Sequence, residues 1–226
     1  MMFPTIVSFY TKNTGYEKEI EGLIDSCKKF NLKTSIDAIA NLGSWEKNCS
    51  FKPKYILKKL TTLKCPILWL DADAIVFQKP SIFETLKADI ALFVAQDLPD
   101  NHHSKISSGT LFINYTPSAL HILKEWVEET DRLFQADPFL WDQVSLRNVL
   151  LRSKGEIHPL DERYYQVFDK IKDESELKKA FFIHYQASRT LKKTLNNEVV
   201  PFWDEEEFIE KKKANQFLCE EELPQQ

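Results

Sequence analysis

The first seventy residues alternate between two hydrophobic periods, and few folds accept that alternation. Residues 4–10 are apolar and β-prone, the pattern of a core strand. After Thr14-Gly15-Tyr16, the apolar residues Ile20, Leu23, Ile24 and Cys27 recur at helical spacing. Thr34 to Ile39 alternates like a second strand. Pro53 starts a second helix, with Tyr55, Ile56, Leu57 and Leu60 as its apolar face. Cys65 to Leu70 is a short continuous apolar run, as expected of a strand buried on both faces. A β-α-β-α-β order predicts an α/β fold with a mixed, mostly parallel sheet flanked by helices. Ligands of such sheets gather at the carboxyl ends of the strands. The third predicted strand ends at Asp71.

The remainder continues the mixture. Asn41 to Ser50 reads as a polar loop carrying Trp45, a large apolar residue that lines a site or caps the core. Pro80 to Leu86 reads as a short helix, Ile90 to Ala95 as a strand and Thr110 to Asn114 as another. Asp97 to Ser104 is a polar loop; its adjacent His102 and His103 diverge and have no evident third metal ligand, so they read as exposed. Leu120, Ile122, Leu123, Trp126, Val127 and Leu133 give a long amphipathic helix over Pro117 to Phe134. A further helix is predicted over Pro138 to Leu151, and a late strand over Ala180 to His184. Asp204 to Lys213 is acidic at its start and basic at its end, as suits a helix dipole. With no repeat and no linker, 1–203 is expected to be one catalytic domain and 204–226 a charged helix and tail.

Composition narrows the partners. The net charge of −4 gives no reason to expect nucleic acid, whose binders carry a basic excess. Only 5 Gly among 226 residues argue against a glycine-rich phosphate loop. No stretch of apolar residues is long enough to span a membrane. Cys27, Cys49, Cys65 and Cys219 match no zinc pattern and read as reduced thiols. A cytoplasmic location is expected, with a peripheral place at the inner face of a membrane left open.

Asp71-Ala72-Asp73 follows the buried strand. In extended chain, carboxylates at i and i+2 point to one face. Side by side they repel each other unless a cation sits between them, and a hard divalent ion relieves that repulsion while keeping positions open for phosphate oxygens. The bland alternative is an acidic turn.

Trp69-Leu70-Asp71-Ala72-Asp73-Ala74-Ile75-Val76-Phe77-Gln78-Lys79-Pro80 resembles the DxD turn of GT-A glycosyltransferases, in particular the nucleotide-diphospho-sugar transferases of retaining families such as 8 or 77. Five further features stand in the same order along the chain: a first strand at the N-terminus, a lysine-bearing helix before the turn, Ser108-Gly109 with Asn114 on a strand, Asp142-Gln143 in a helix, and a late strand ending in His184. The resemblance implies a nucleotide-diphospho-sugar donor, with a UDP-sugar favoured, and Mn2+ or Mg2+ as cofactor. It also implies transfer to a hydroxyl of a glycan, lipid-linked or protein acceptor.

By the same resemblance, Asp73 binds the metal, Asp71 reaches the donor and the metal, and His184 completes the metal shell. Ser8, Tyr10 and Thr11 hold base and ribose, Lys52 and the Ser108-Gly109 strand approach the donor, and Asp142 and Gln143 meet sugar hydroxyls near the reacting centre. Each has a plainer reading: core strand end for Tyr10, solvated helix start for Lys52 and Lys54, β-bulge for Gly109, polar helix face for Asp142-Gln143, backbone-bonded histidine for His184. The chain lacks the Gly that follows the late His in family 8, which puts phosphate roles for Arg189, Lys192 or Lys193 in question. Two rivals stand beside this reading. A haloacid-dehalogenase-like phosphatase would carry Asp-x-Asp on its first strand and needs a later Gly-Asp motif that the sequence lacks. A non-catalytic sugar-nucleotide-binding protein would bind without turnover.

Overall fold

The computed structural model describes residues 3–102 and 104–196. Strand β1 (Thr5–Thr11), helix α1 (Tyr16–Lys29), strand β2 (Thr34–Ile39), helices α2 (Trp45–Ser50) and α3 (Lys52–Leu63) and strand β3 (Ile67–Leu70) form the expected β-α-β-α-β start. Strand β4 (Ala74–Val76) follows the Asp-Ala-Asp turn. Strands β5 (Ile90–Val94) and β6 (Ile106–Ile113) precede the helix pair α4 (Pro117–Ala136) and α5 (Asp142–Arg152). Strands β7 (Ile157–Leu160) and β8 (Gln166–Val167), helix α6 (Glu174–Leu177), strand β9 (Phe182–His184) and helix α7 (Ser188–Asn196) complete the described chain.

The main sheet runs β2-β1-β3-β6-β5-β7. Its β2-β1, β1-β3 and β5-β7 pairs are parallel, and β6 runs antiparallel to both of its neighbours. Alternation along the strands feeds two cores. Val7, Phe9, Ile67, Trp69, Leu92, Leu111 and Ile113 pack under Ile56 and Leu60 of α3, Leu123 and Trp126 of α4 and Leu146 of α5. Ile6, Leu68, Leu70, Ala91 and Phe112 point the other way, against Ile20, Leu23 and Cys27 of α1. Every residue of β3 is buried, which explains its unbroken apolar run.

Several boundaries differ from the sequence expectation. The predicted loop around Trp45 is the short helix α2, capped by Ser44, whose side chain accepts from Lys47 N. Residues 138–141 stay outside α5, so Asp142 stands in the first helical turn, where a carboxylate complements the dipole. β6 begins four residues before Thr110, so Ser108-Gly109 lies within the strand instead of opening it. The segment 80–86 contains only a 3-10 turn, Ile82–Glu84. The helix expected over Asp204 to Lys213 lies outside the described residues.

A second sheet, β4-β9-β8, does most to position the site. β4 pairs antiparallel with β9, in a register that sets Ala74 opposite His184. A histidine 111 positions after Asp73 in sequence is thereby held beside the turn. No helix among the described residues is long and apolar enough to cross a membrane.

Candidate functional site

The carboxyl ends of β1 and β3, the middle of β6 and the N-terminus of α5 open onto one cavity of about 600 Å3. Its floor is the turn after β3. Asp71 N donates to Gly109 O at 3.0 Å, and Ala74 N donates to Asp71 O at 3.0 Å. The second bond closes a turn, so Asp71 and Asp73 do not converge through an extended strand as the i, i+2 spacing suggests. The turn and the β9 register bring them together. A carboxylate oxygen of each, with one ring nitrogen of His184, lie within 4.8 Å of one another.

Each member is held. Trp69 Nε1 donates to Asp71 Oδ1 at 2.9 Å. Ala187 N donates to Asp73 Oδ2 at 2.7 Å, and Tyr185 N donates to the Asp73 carbonyl at 2.9 Å. His184 is 1% exposed, and its Nε2 lies 2.9 Å from Thr110 Oγ1. Its Nδ1 is buried without a hydrogen-bond partner. Burial drives the imidazole down to about 4, with Asp71 acting in the opposite sense and Lys52 adding to the depression. The ring is therefore neutral near pH 7, the form that ligates metals.

Gly109 is what lets these groups close up. A Cβ there would stand 2.6 Å from Tyr165 Cε2 and 3.1 Å from both Asp71 Oδ2 and His184 Cε1. The close approach at this glycine comes from the site's own side chains.

Lys52 lies beside the turn, its ammonium 3.0 Å from Asp71 Oδ1 and 3.0 Å from Asp142 Oδ2. Ser108 offers it a carbonyl at 3.4 Å and a hydroxyl at 3.3 Å. Burial disfavours the lysine's charge, but Asp142 and then Asp71 outweigh burial and hold its pKa above the ordinary value. One ammonium thus serves two carboxylates, with the Asp73 carboxylate close by. This excess of negative charge is felt by Tyr16, whose phenol is pushed up by burial and then by Asp73. A neutral imidazole with an orphaned nitrogen, two converging carboxylates and a glycine-cleared space fit a small divalent cation. An imidazole in the set suits Mn2+ better than Ca2+.

Most residues expected at the site are there. Tyr10, Thr11, Lys52, Asp71, Asp73, Ser108, Gly109, Asp142 and Gln143 line the cavity. Gln143 Oε1 accepts from Ser108 N at 3.4 Å. His184 joins the cluster from behind the cavity wall. Ser8 is fully buried in β1 and does not line the cavity; its carbonyl accepts from Tyr55 Oη at 2.6 Å. Lys54 pairs with Asp131 at 2.8 Å, away from the cavity lining. Of the basic residues after His184, Arg189 lines the cavity but pairs with Asp169, and Lys192 pairs with Glu46 at 2.6 Å. Tyr16, Tyr165 and Trp141 also line the cavity, and no local pattern in the sequence marks them.

No curated protein matches the chain in sequence. Among solved structures, the fold resembles one described as the crystal structure of a glycosyltransferase involved in the glycosylation of the major capsid of PBCV-1. The two are 17% identical, the match covers 88% of this chain and 100% of that one, and the TM-score is 0.63. At this identity the likeness carries the fold, a GT-A type. A model of the nucleotide-diphospho-sugar transferase family matches residues 44–196, which include the Asp-Ala-Asp turn, Lys52, Asp142 and His184. That match spans well over half of the sequence, and the chain belongs to the nucleotide-diphospho-sugar transferase family.

Proposed function

We propose that the chain is a metal-dependent glycosyltransferase that moves a sugar from a nucleotide-diphospho-sugar, with a UDP-sugar favoured, to an acceptor hydroxyl with retention at the anomeric carbon. The observation that carries this reading is the convergence of Asp71, Asp73 and His184 within 4.8 Å, at the carboxyl end of the sheet. In the reaction, the bond from the anomeric carbon to the diphosphate oxygen breaks and a bond to the acceptor oxygen forms. The acceptor's proton leaves with the nucleoside diphosphate.

Asp71, Asp73 and His184 would hold Mn2+ or Mg2+. When bound, the ion supplies positive charge that stabilises the departing diphosphate. Tyr10 and Thr11, at the end of β1, face the base and ribose. Lys52 keeps its proton and, fixed by two carboxylates, presents a preorganised positive charge to the donor. Asp142 and Gln143 meet sugar hydroxyls from the first turn of α5. Asp142 is ion-paired with Lys52 at 3.0 Å and so is not an unencumbered base for an acceptor hydroxyl, which favours retention over inversion.

Titration calorimetry of nucleoside diphosphates and their sugar esters, with Mn2+ and with chelator, tests the reading. Saturable binding that requires Mn2+, with slow hydrolysis of one sugar nucleotide and no phosphate release from an aryl phosphate, is expected. Equal binding in chelator would remove the metal from the account. Binding without any turnover, with or without acceptors, would favour a binding protein.

A further inference from the structure

Two tryptophans on separate elements meet at the cavity. Trp45 begins α2 and Trp141 caps α5; both line the cavity, with ring centroids 6.4 Å apart and planes at 55°. Neither belongs to the donor-binding set assigned above. Large apolar rings on the wall of a cavity that also holds carboxylates and hydroxyls call for a ligand with an apolar surface to cover them.

Trp45 is held more firmly than core filling requires. Its Nε1 lies 3.3 Å from Tyr16 Oη, to which it donates, and its backbone N donates to Asn196 Oδ1 at 2.8 Å. Lys192 Nζ stands 4.7 Å from the ring centroid. The preceding loop is clamped by Asn48, which accepts from Leu42 N at 2.9 Å and donates to Asn41 Oδ1 at 3.0 Å. The indole N–H, the ring's one polar group, is spent inside the protein, so carbon surface is what the ring offers to a ligand. Trp141 immediately precedes Asp142, so the pair stands at the Lys52–Asp142 side of the cavity, on elements other than the β1 end that carries Tyr10 and Thr11. The loops leading to both rings carry exposed apolar residues as well, with Leu42 43% and Phe139 66% exposed.

We infer that Trp45 and Trp141 form the acceptor subsite, and that the acceptor presents a saccharide unit whose C–H face rests on these rings. The inference rests on the transferase reading and names its acceptor class. The π face carries the negative part of the ring quadrupole and attracts the weakly positive C–H groups of a pyranose. The hydroxyls at the sugar's rim need polar partners, and polar and charged side chains outside the donor-binding set, such as Asn48 and Lys170, line the same cavity. A ligand with one hydrocarbon face and a polar edge matches this juxtaposition of aromatic and charged groups.

A printed glycan array tests it, with the protein loaded with Mn2+ and whichever nucleoside diphosphate calorimetry finds to bind. Wild type is expected to retain a structurally related set of glycans. Trp141→Ala and Trp45→Ala should weaken retention about tenfold, Trp141→Tyr should recover most of it, and nucleotide affinity should stay within about twofold in all three. Retention of no glycan by the loaded wild type would overturn the inference, as would undiminished retention by both alanine variants. A parallel loss of nucleotide affinity would also overturn it, by assigning the rings to the donor base. Failure of every nucleoside diphosphate to bind wild type would instead strike the transferase reading, and this inference with it.

Discussion

Helix α5 carries a buried charge cluster at each end, and the two are built differently. Near its C-terminus, Asn148 and Arg152 meet Glu129 of α4, which is 7% exposed. Glu129 also takes two hydrogen bonds from Arg132, at 3.0 and 2.8 Å, and Asn148 adds one at 3.0 Å. One carboxylate here is surrounded by donors and closed off. At the N-terminus the ratio is reversed: Asp142 shares the Lys52 ammonium with Asp71, and the His184 Nδ1 nearby has no partner. A cluster that exists to join two helices satisfies every atom. A cluster left short of positive charge and of one hydrogen bond is arranged around something else.

Replacing Lys52 breaks the contrast most severely. Lys52→Met leaves Asp142 buried without its counter-ion, and urea unfolding should show a loss of about 3–5 kcal/mol together with lost nucleotide binding. A loss below about 1 kcal/mol would mean that the pair is solvated and does not organise the site. Gly109→Ala comes next, because its Cβ would collide with Tyr165 at 2.6 Å. A cost of about 1–3 kcal/mol is expected, with weaker Mn2+ affinity from the displaced Asp71 and His184. Unchanged Mn2+ affinity in a destabilised variant would separate the packing at Gly109 from the site.

The smallest stability effect of the three belongs to the closed cluster. Glu129→Gln should cost about 1–2 kcal/mol and leave nucleotide binding intact. It should also change the acid limb of stability. Hydrogen bonds from Arg132 hold the Glu129 carboxyl below its ordinary value against burial, with Asn148 and Arg152 assisting. The unfolded chain therefore takes up this proton before the folded one does, so Glu129 stabilises above the ordinary glutamate range and that contribution fades as the pH falls through it. Urea midpoints measured from neutral pH downward should fall less steeply in the glutamine variant; parallel curves would deny Glu129 that role.

The parts of the open cluster differ in how well the sequence announces them. Asp71-Ala72-Asp73 is legible because the strand before it is local and continuously apolar, and Asp142-Gln143 because the order of motifs places it. The strand β4 is not legible: three residues pair with β9 more than a hundred positions later, and no local period records such a pairing. Without β4, the position of His184 beside Asp73 cannot be derived, only inferred from resemblance. Ser8 shares a strand face with Tyr10, so the sequence groups it with Tyr10 and Thr11, but it lies two residues deeper in β1, where full burial keeps it from the cavity. Trp45 in a polar stretch was legible as an anomaly, yet its helix is only six residues long, too short for a period to register.

The claim that the open cluster binds a metal-bridged diphosphate is tested most directly at Asp73. The residue is 9% exposed and lies in a turn closed by backbone bonds of its own, its carboxylate adding one bond from Ala187 N at 2.7 Å. Asp73→Ala, compared with wild type by titration calorimetry of a nucleoside diphosphate in the presence and absence of Mn2+, should abolish the Mn2+-dependent binding while the circular dichroism spectrum stays that of the folded protein. Mn2+-dependent binding of undiminished affinity in that variant would contradict the assignment of the turn.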